Sequence, residues 1–154
     1  MVPKKIHIQG FTFVELLIVI SIITILSTVG ISSYVGVQQG GRDTRRKADI
    51  QEIRGALEHY RENNSAYPTP ASGAGLSFGT APLSDAAGNI YLQTIPQDPQ
   101  SPKRTYYYTT VSGDYSLGTR LEGTATCTVA PTPAANSCGT GFTCNYCYGS
   151  YGQK

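Results

Sequence analysis

No charged residue occurs between Leu16 and Gln39, and the stretch from Phe11 to Ile31 is almost wholly apolar. As a helix, these roughly 21 residues rise roughly 31 Å, about the hydrocarbon thickness of a bilayer. Val14, Ile18, Val19, Ile20, Ile22, Ile23, Ile25, Val29 and Ile31 are β-branched and weakly favour a strand in water. In lipid the backbone has to satisfy its own hydrogen bonds, and helix wins. The run therefore predicts a membrane-spanning helix. It also explains why averages mislead: the chain has 154 residues, 40% hydrophobic and 14% charged, with a mean hydropathy of −0.19 typical of a soluble domain. That length accommodates one domain. Twelve basic against ten acidic residues is too balanced for a polyanion binder.

Met1 to Gly10 precedes the run and carries Lys4 and Lys5, which account for the whole formal charge of +2. A basic start before an apolar stretch is also how a secretory signal peptide begins. Two features oppose that alternative. The apolar run is too long for such a peptide, and no small-residue cleavage site follows it. Glu15 is a further anomaly, because a carboxylate within an apolar helix is costly and points to function.

The series Gly10-Phe11-Thr12-Phe13-Val14-Glu15, after a short basic leader and before a spanning run, resembles the class III signal of the type IV pilin and pseudopilin superfamily. That resemblance implies cleavage by a prepilin peptidase between Gly10 and Phe11, and methylation of the new amine on Phe11. It implies that Glu15 pairs with the Phe11 amine of a neighbour and sets register in a growing helical homo-oligomer. The alternative for Glu15 is a carboxylate that snorkels to the interface from a static anchor.

Ser21, Thr24, Thr28 and Ser32 fall on one helix stripe, expected either to pack against neighbouring helices or to bond their own helix's carbonyls. Many relatives have a proline where this chain has Ser32, which leaves a kink near Gly30–Ser33 open. Beyond Gly41, Ile50, Ile53, Leu57 and Tyr60 form an amphipathic stripe that extends the helix until Asn63, Asn64, Ser65 and Pro68 stop it. Arg42, Arg45, Arg46 and Lys47 are expected to be a solvated face with Asp43 pairing to Lys47; a lipid or DNA patch is the alternative. Their place on the assigned outer side runs against the positive-inside rule.

Further on, Ile90-Tyr91-Leu92 reads as a short strand. Residues 105–111 and 115–121 flank Ser112-Gly113-Asp114 and predict a β-hairpin that gains its core from the helix stripe. Tyr60 to Pro68, the Ile95-Pro96-Gln97-Asp98-Pro99 turn and the aromatic hairpin are similar to major pseudopilins of type II secretion and to short type IV pilins. Major pseudopilins often hold calcium after the sheet. After Tyr115 this chain offers only Glu122 as a carboxylate, so no metal or cofactor is expected. Asp85, Asn89, Asp98 and Asp114 are expected as turn formers.

Cys127, Cys138, Cys144 and Cys147 follow a Thr/Ala/Pro stretch. Their even number in a loop-rich external tail favours two disulfides, with all three connectivities open; a zinc site using Cys144-x-x-Cys147 is the alternative. Tyr146, Tyr148 and Tyr151 could serve adhesion or pack on the sheet. No catalytic constellation is present: His7 and His59 are isolated from any nucleophile or phosphate loop, and Gly139-x-Gly141 carries no motif.

The expected fold is α+β and pilin-like, a long N-terminal helix packed on a small antiparallel sheet. It divides into a leader (1–10), a transmembrane and polymerisation helix (11–35), an amphipathic outer half (36–64), a globular domain (65–123) and a Cys-containing tail (124–154). The resemblance implies a structural subunit of a type IV pilus or similar filament and not an enzyme. It further implies a precursor that waits in the cytoplasmic membrane with its N-terminus inside and, after processing, assembles on a membrane platform into an extracellular or periplasmic filament. The alternatives are a type II secretion pseudopilin, or a static membrane-anchored module with a zinc- or glycan-binding tail; a surface or DNA ligand is left open.

Overall fold

The computed structural model describes residues 10–69, 76–127, 133 and 137–150, with the side chains of 29–33 and 111 outside the description. The leader through Gln9 and the tail from Tyr151 fall outside it, as do Ser32's side chain and those of the Gly30–Ser33 stretch. The protein is α+β: a helix α1 (Phe13–Asn64) is followed by strands β1 (Leu83–Ser84), β2 (Ile90–Leu92), β3 (Tyr107–Val111), β4 (Asp114–Thr119) and β5 (Tyr146–Tyr148). Two compact units divide the chain, residues 1–38 and 39–154.

In the first unit every large apolar side chain described, from Phe11 to Leu26, is exposed. Within this unit none of the described residues covers that apolar surface. Among the described residues no helix is long and apolar enough to cross a membrane.

In the second unit α1 buries Ile50, Ile53, Ala56 and Leu57 against Tyr67, Leu83, Ile95, Tyr106, Tyr108, Tyr115, Leu117 and Leu121. Tyr60 closes the expected stripe half-buried, its ring 5.1 Å from that of Tyr91. The helix ends as its polar sequence predicts: Ser65 enters the left-handed region at φ 58°, and its N–H donates to the Arg61 carbonyl at 2.8 Å. Gly55 lies inside α1 on the exposed side, and a Cβ there meets nothing within 4 Å. A helix-interior glycine without a packing duty costs about 0.5–1 kcal/mol relative to alanine. Gly55→Ala is therefore expected to stabilise the protein by about that amount, read as a higher denaturation midpoint; an unchanged or lower one would reveal a demand for glycine there.

β3 and β4 pair antiparallel from Tyr107↔Gly118 to Val111↔Asp114. Ser112 (φ 54°) and Gly113 (φ 82°) turn the hairpin. Two successive positive φ values give the two-residue turn whose twist suits a hairpin. The tail is more than loop: β5 pairs with β4 through Leu117↔Tyr148, Gly118↔Cys147 and Thr119↔Tyr146 and completes a three-stranded sheet. The expected Ile90–Leu92 strand is present and pairs with the unforeseen β1. Asp85 accepts hydrogen bonds from the N–H groups of Ala87 and Asn89, as a turn former should.

Candidate functional site

Thr12 and Glu15 begin the helix together. The Thr12 N–H donates to Glu15 Oε2 at 2.8 Å, its hydroxyl donates to the same oxygen at 2.7 Å, and the Glu15 N–H reaches Thr12 Oγ1 at 3.3 Å. Thr-x-x-Glu is a capping box, which satisfies backbone donors that a helix start leaves open. In a single subunit Glu15 thus already has a partner in Thr12. Gly10 and Phe11 lie just before this cap, both exposed, and a Cβ at Gly10 meets nothing within 4 Å. No packing among the described residues requires glycine at that position.

Along the helix Ser21 Oγ donates to the Ile18 carbonyl at 2.7 Å and Thr24 Oγ1 to that of Ile20 at 2.6 Å. Thr28 Oγ1 donates to the Ile25 carbonyl at 2.7 Å. The three hydroxyls are satisfied within the helix while their side chains remain exposed.

The basic residues after Gly41 depart from the expected solvated face. Arg46 is fully buried, and its partner is not the helix alone. Its Nε and Nη2 fork onto Asp98 at 2.8 and 3.2 Å, Nη1 reaches Asp43 at 2.8 Å and Glu122 at 3.1 Å, and Nη2 also donates to Gln100 at 3.0 Å. Asp43 therefore pairs with Arg46, three residues on, and not with Lys47. Arg42 makes a second fork on Glu122 at 2.6 and 2.7 Å. Asp43 accepts the backbone N–H groups of Glu122 and Gly123 at 2.9 and 3.0 Å. Arg45 and Lys47 stay exposed, with Lys47 Nζ 5.8 Å from the centre of the Tyr146 ring. Forked charge-assisted hydrogen bonds are the strong ones, and this set fastens two distant segments, 98–100 and 122–123, onto α1. Nearby, Tyr106 donates to the Asp49 carboxylate at 2.6 Å in the buried interior.

The Arg42 hydrogen bonds, followed by those from Arg46, pull the Glu122 carboxyl down to about 2 against the opposing effect of burial. Burial alone would lower the Arg46 pKa; Asp98 and Glu122 raise it instead. A carboxylate depressed on folding stabilises the native state fully above its unfolded pKa of 4.5, and loses that contribution as pH falls towards 2. Acid titration should therefore show stability dropping between about pH 4.5 and 2, and less steeply in Glu122→Gln. Equal slopes would remove Glu122 from the linkage.

All four cysteines are paired, Cys127 with Cys147 and Cys138 with Cys144. The zinc alternative for Cys144-x-x-Cys147 is thereby set aside. Gly118 of β4 makes room for them: a Cβ there would sit 3.2 Å from Cys147 Sγ and 3.3 Å from Cys144 Sγ.

The prokaryotic N-terminal methylation motif matches residues 7–31, around Gly10, Phe11 and Glu15. The profile of type II secretion system (T2SS) protein G matches residues 33–123. Among similar proteins, type II secretion system core protein G of Aeromonas hydrophila is 33% identical over 96 residues, covering 59% of this chain and 66% of the relative. The Klebsiella pneumoniae core protein G is 28% identical over 95 residues, 59% of this chain and 68% of its own. That of Pseudomonas aeruginosa is 27% identical over 118 residues, 71% of this chain and 80% of its own. No solved structure matches significantly. These matches favour the secretion alternative over the pilus subunit first expected from the leader. With the larger part of its length matched by that profile, and the methylation motif in front of it, the chain belongs to the protein G family of type II secretion, within the pilin and pseudopilin superfamily.

Proposed function

We propose that this protein is a structural pseudopilin of a type II secretion system, built as a membrane-anchored precursor and polymerised through its N-terminal helix. The observation that carries this reading is the succession, on one chain, of the methylation motif over 7–31 and the protein G profile over 33–123. The precursor sits in the cytoplasmic membrane with Met1–Gly10 inside. A prepilin peptidase cuts between Gly10 and Phe11 and the Phe11 amine is methylated. The subunit then leaves the bilayer at an assembly platform and joins a periplasmic pseudopilus.

Elementary electrostatics supports the role given to Glu15. A carboxylate inside a bundle of apolar helices is costly alone and tolerated beside a cation, and removing one member of a buried pair leaves the other uncompensated. Cleavage creates that cation on Phe11. The exposed apolar surface from Phe11 to Leu26 supplies the packing area, and Ser21, Thr24, Thr28 and Ser32 let helices approach closely.

The test is mass spectrometry of the protein in its native host, expected to find N-methylated Phe11 as the N-terminus; filaments with Met1 intact would sink the reading. Glu15→Ala is expected to give a stable, processed, membrane-resident protein that forms no filaments by electron microscopy. Normal filaments from that variant would make the carboxylate incidental.

A further inference from the structure

Calcium in the segment after the sheet is the metal that the resemblance to major pseudopilins implies, and the residues present here do not fit such an ion. Calcium takes six to eight oxygen ligands, carboxylates prominent among them. Beyond Asp114 the sequence has a single carboxylate, Glu122. One of its oxygens accepts from Arg42 Nε and Arg46 Nη1, and the other from Arg42 Nη2. The Arg104 guanidinium stands 3.9 Å from the same group. Asp43 is engaged by Arg46 and by the N–H groups of Glu122 and Gly123, and Asp98 is forked by Arg46.

The cluster therefore balances three carboxylates, Asp43, Asp98 and Glu122, against three guanidinium groups, Arg42, Arg46 and Arg104. A divalent cation entering it would have to strip arginine donors from their carboxylates and then sit beside them, and like charges at such range repel strongly where water is scarce. Among the described residues no group of three or more His, Cys, Asp or Glu converges as a metal site requires. The other end of the segment is held differently. Cys127–Cys147 and Cys138–Cys144 close the tail, and Gly118 lets both lie against β4. Gly139, at φ 119°, brings the tail so close to the backbone of residues 103–104 that a Cβ would lie 2.5 Å from the Lys103 carbonyl.

We propose that residues 121–127 and 137–148 form a cation-independent clasp, in which the arginine forks on Glu122, Asp43 and Asp98 hold one end and the two disulfides hold the other, so that calcium neither binds these residues nor stabilises them. The fold becomes indifferent to calcium and dependent on an oxidising compartment. The clasp belongs to the single subunit, whether or not that subunit polymerises.

The experiment is hydrogen exchange followed by mass spectrometry on the full chain in detergent micelles. Four conditions are compared: calcium chloride at about 5 mM, above the range of weak extracellular sites, then EGTA, dithiothreitol, and the Glu122→Gln variant. Calcium and EGTA are expected to give superimposable exchange over 114–148. Reduction is expected to speed exchange over 144–148 about 100-fold, the effect of a disulfide closing a loop of this size. Glu122→Gln is expected to speed exchange at 121–124 equally with and without calcium. Slower exchange in calcium that EGTA reverses would overturn the independence from cations. Unchanged exchange on reduction, or in Glu122→Gln, would overturn the corresponding half of the clasp.

Discussion

Arg46→Ala is expected to cost the folded domain about 3–5 kcal/mol, the largest loss of any single side chain in the cluster. Arg46 is wholly buried and holds Asp98, Asp43, Glu122 and Gln100 at once. Its removal leaves the buried Asp98 carboxylate with the Gln100 N–H but no cation, and an uncompensated buried charge is far costlier than the pair was favourable. Arg46→Lys keeps the charge but offers a point where the site needs a plane, so it should fall between alanine and the native residue. Chemical denaturation of the full chain in detergent reads the order. A loss below about 1 kcal/mol for alanine would place Arg46 among ordinary exposed ion pairs and contradict the geometry.

Gly10→Val is expected to leave the leader attached and abolish assembly altogether, seen as a precursor-length band in the membrane and an absence of filaments. The structure makes this experiment clean. Gly10 and Phe11 are exposed, a Cβ at Gly10 meets nothing, and the Thr12–Glu15 cap lies beyond it. The substitution should leave the melting curve of the domain unchanged, so loss of processing would report on the peptidase's demand for glycine and not on misfolding. A cleaved, polymerising Gly10→Val protein would remove Gly10 from the cleavage site.

What could be read from the sequence was what repeats or what is local. Ile50, Ile53 and Leu57 announce a buried stripe by their spacing alone, and Ser112-Gly113 announces a turn by its neighbours. Glu15 stands out as the charge in an apolar run, whereas its capping role with Thr12 shows only in the geometry of the helix start. Arg46 was hidden. It continues the same stripe one turn before Ile50, but its charge placed it with its exposed neighbours, and its partners Asp98 and Glu122 lie 52 and 76 residues away in sequence. Only the folded chain brings those groups together. β5 was hidden for another reason: Tyr146-Cys147-Tyr148 is too short to show alternation, and cysteine draws attention to covalent chemistry and away from pairing. The disulfide partners were likewise a matter of tertiary proximity. Gly139 looked empty of meaning because its duty is to a backbone segment more than thirty positions earlier.

Both disulfides lie within residues 127–147, and neither includes a residue of α1. The described sheet and tail are thus joined to the outer half of the helix by apolar packing, hydrogen bonds and the arginine forks alone. In mechanical terms, a force applied along α1 passes to the sheet by shear across Ile50, Ile53 and Leu57 and through Arg42 and Arg46, with no covalent cross-link in parallel.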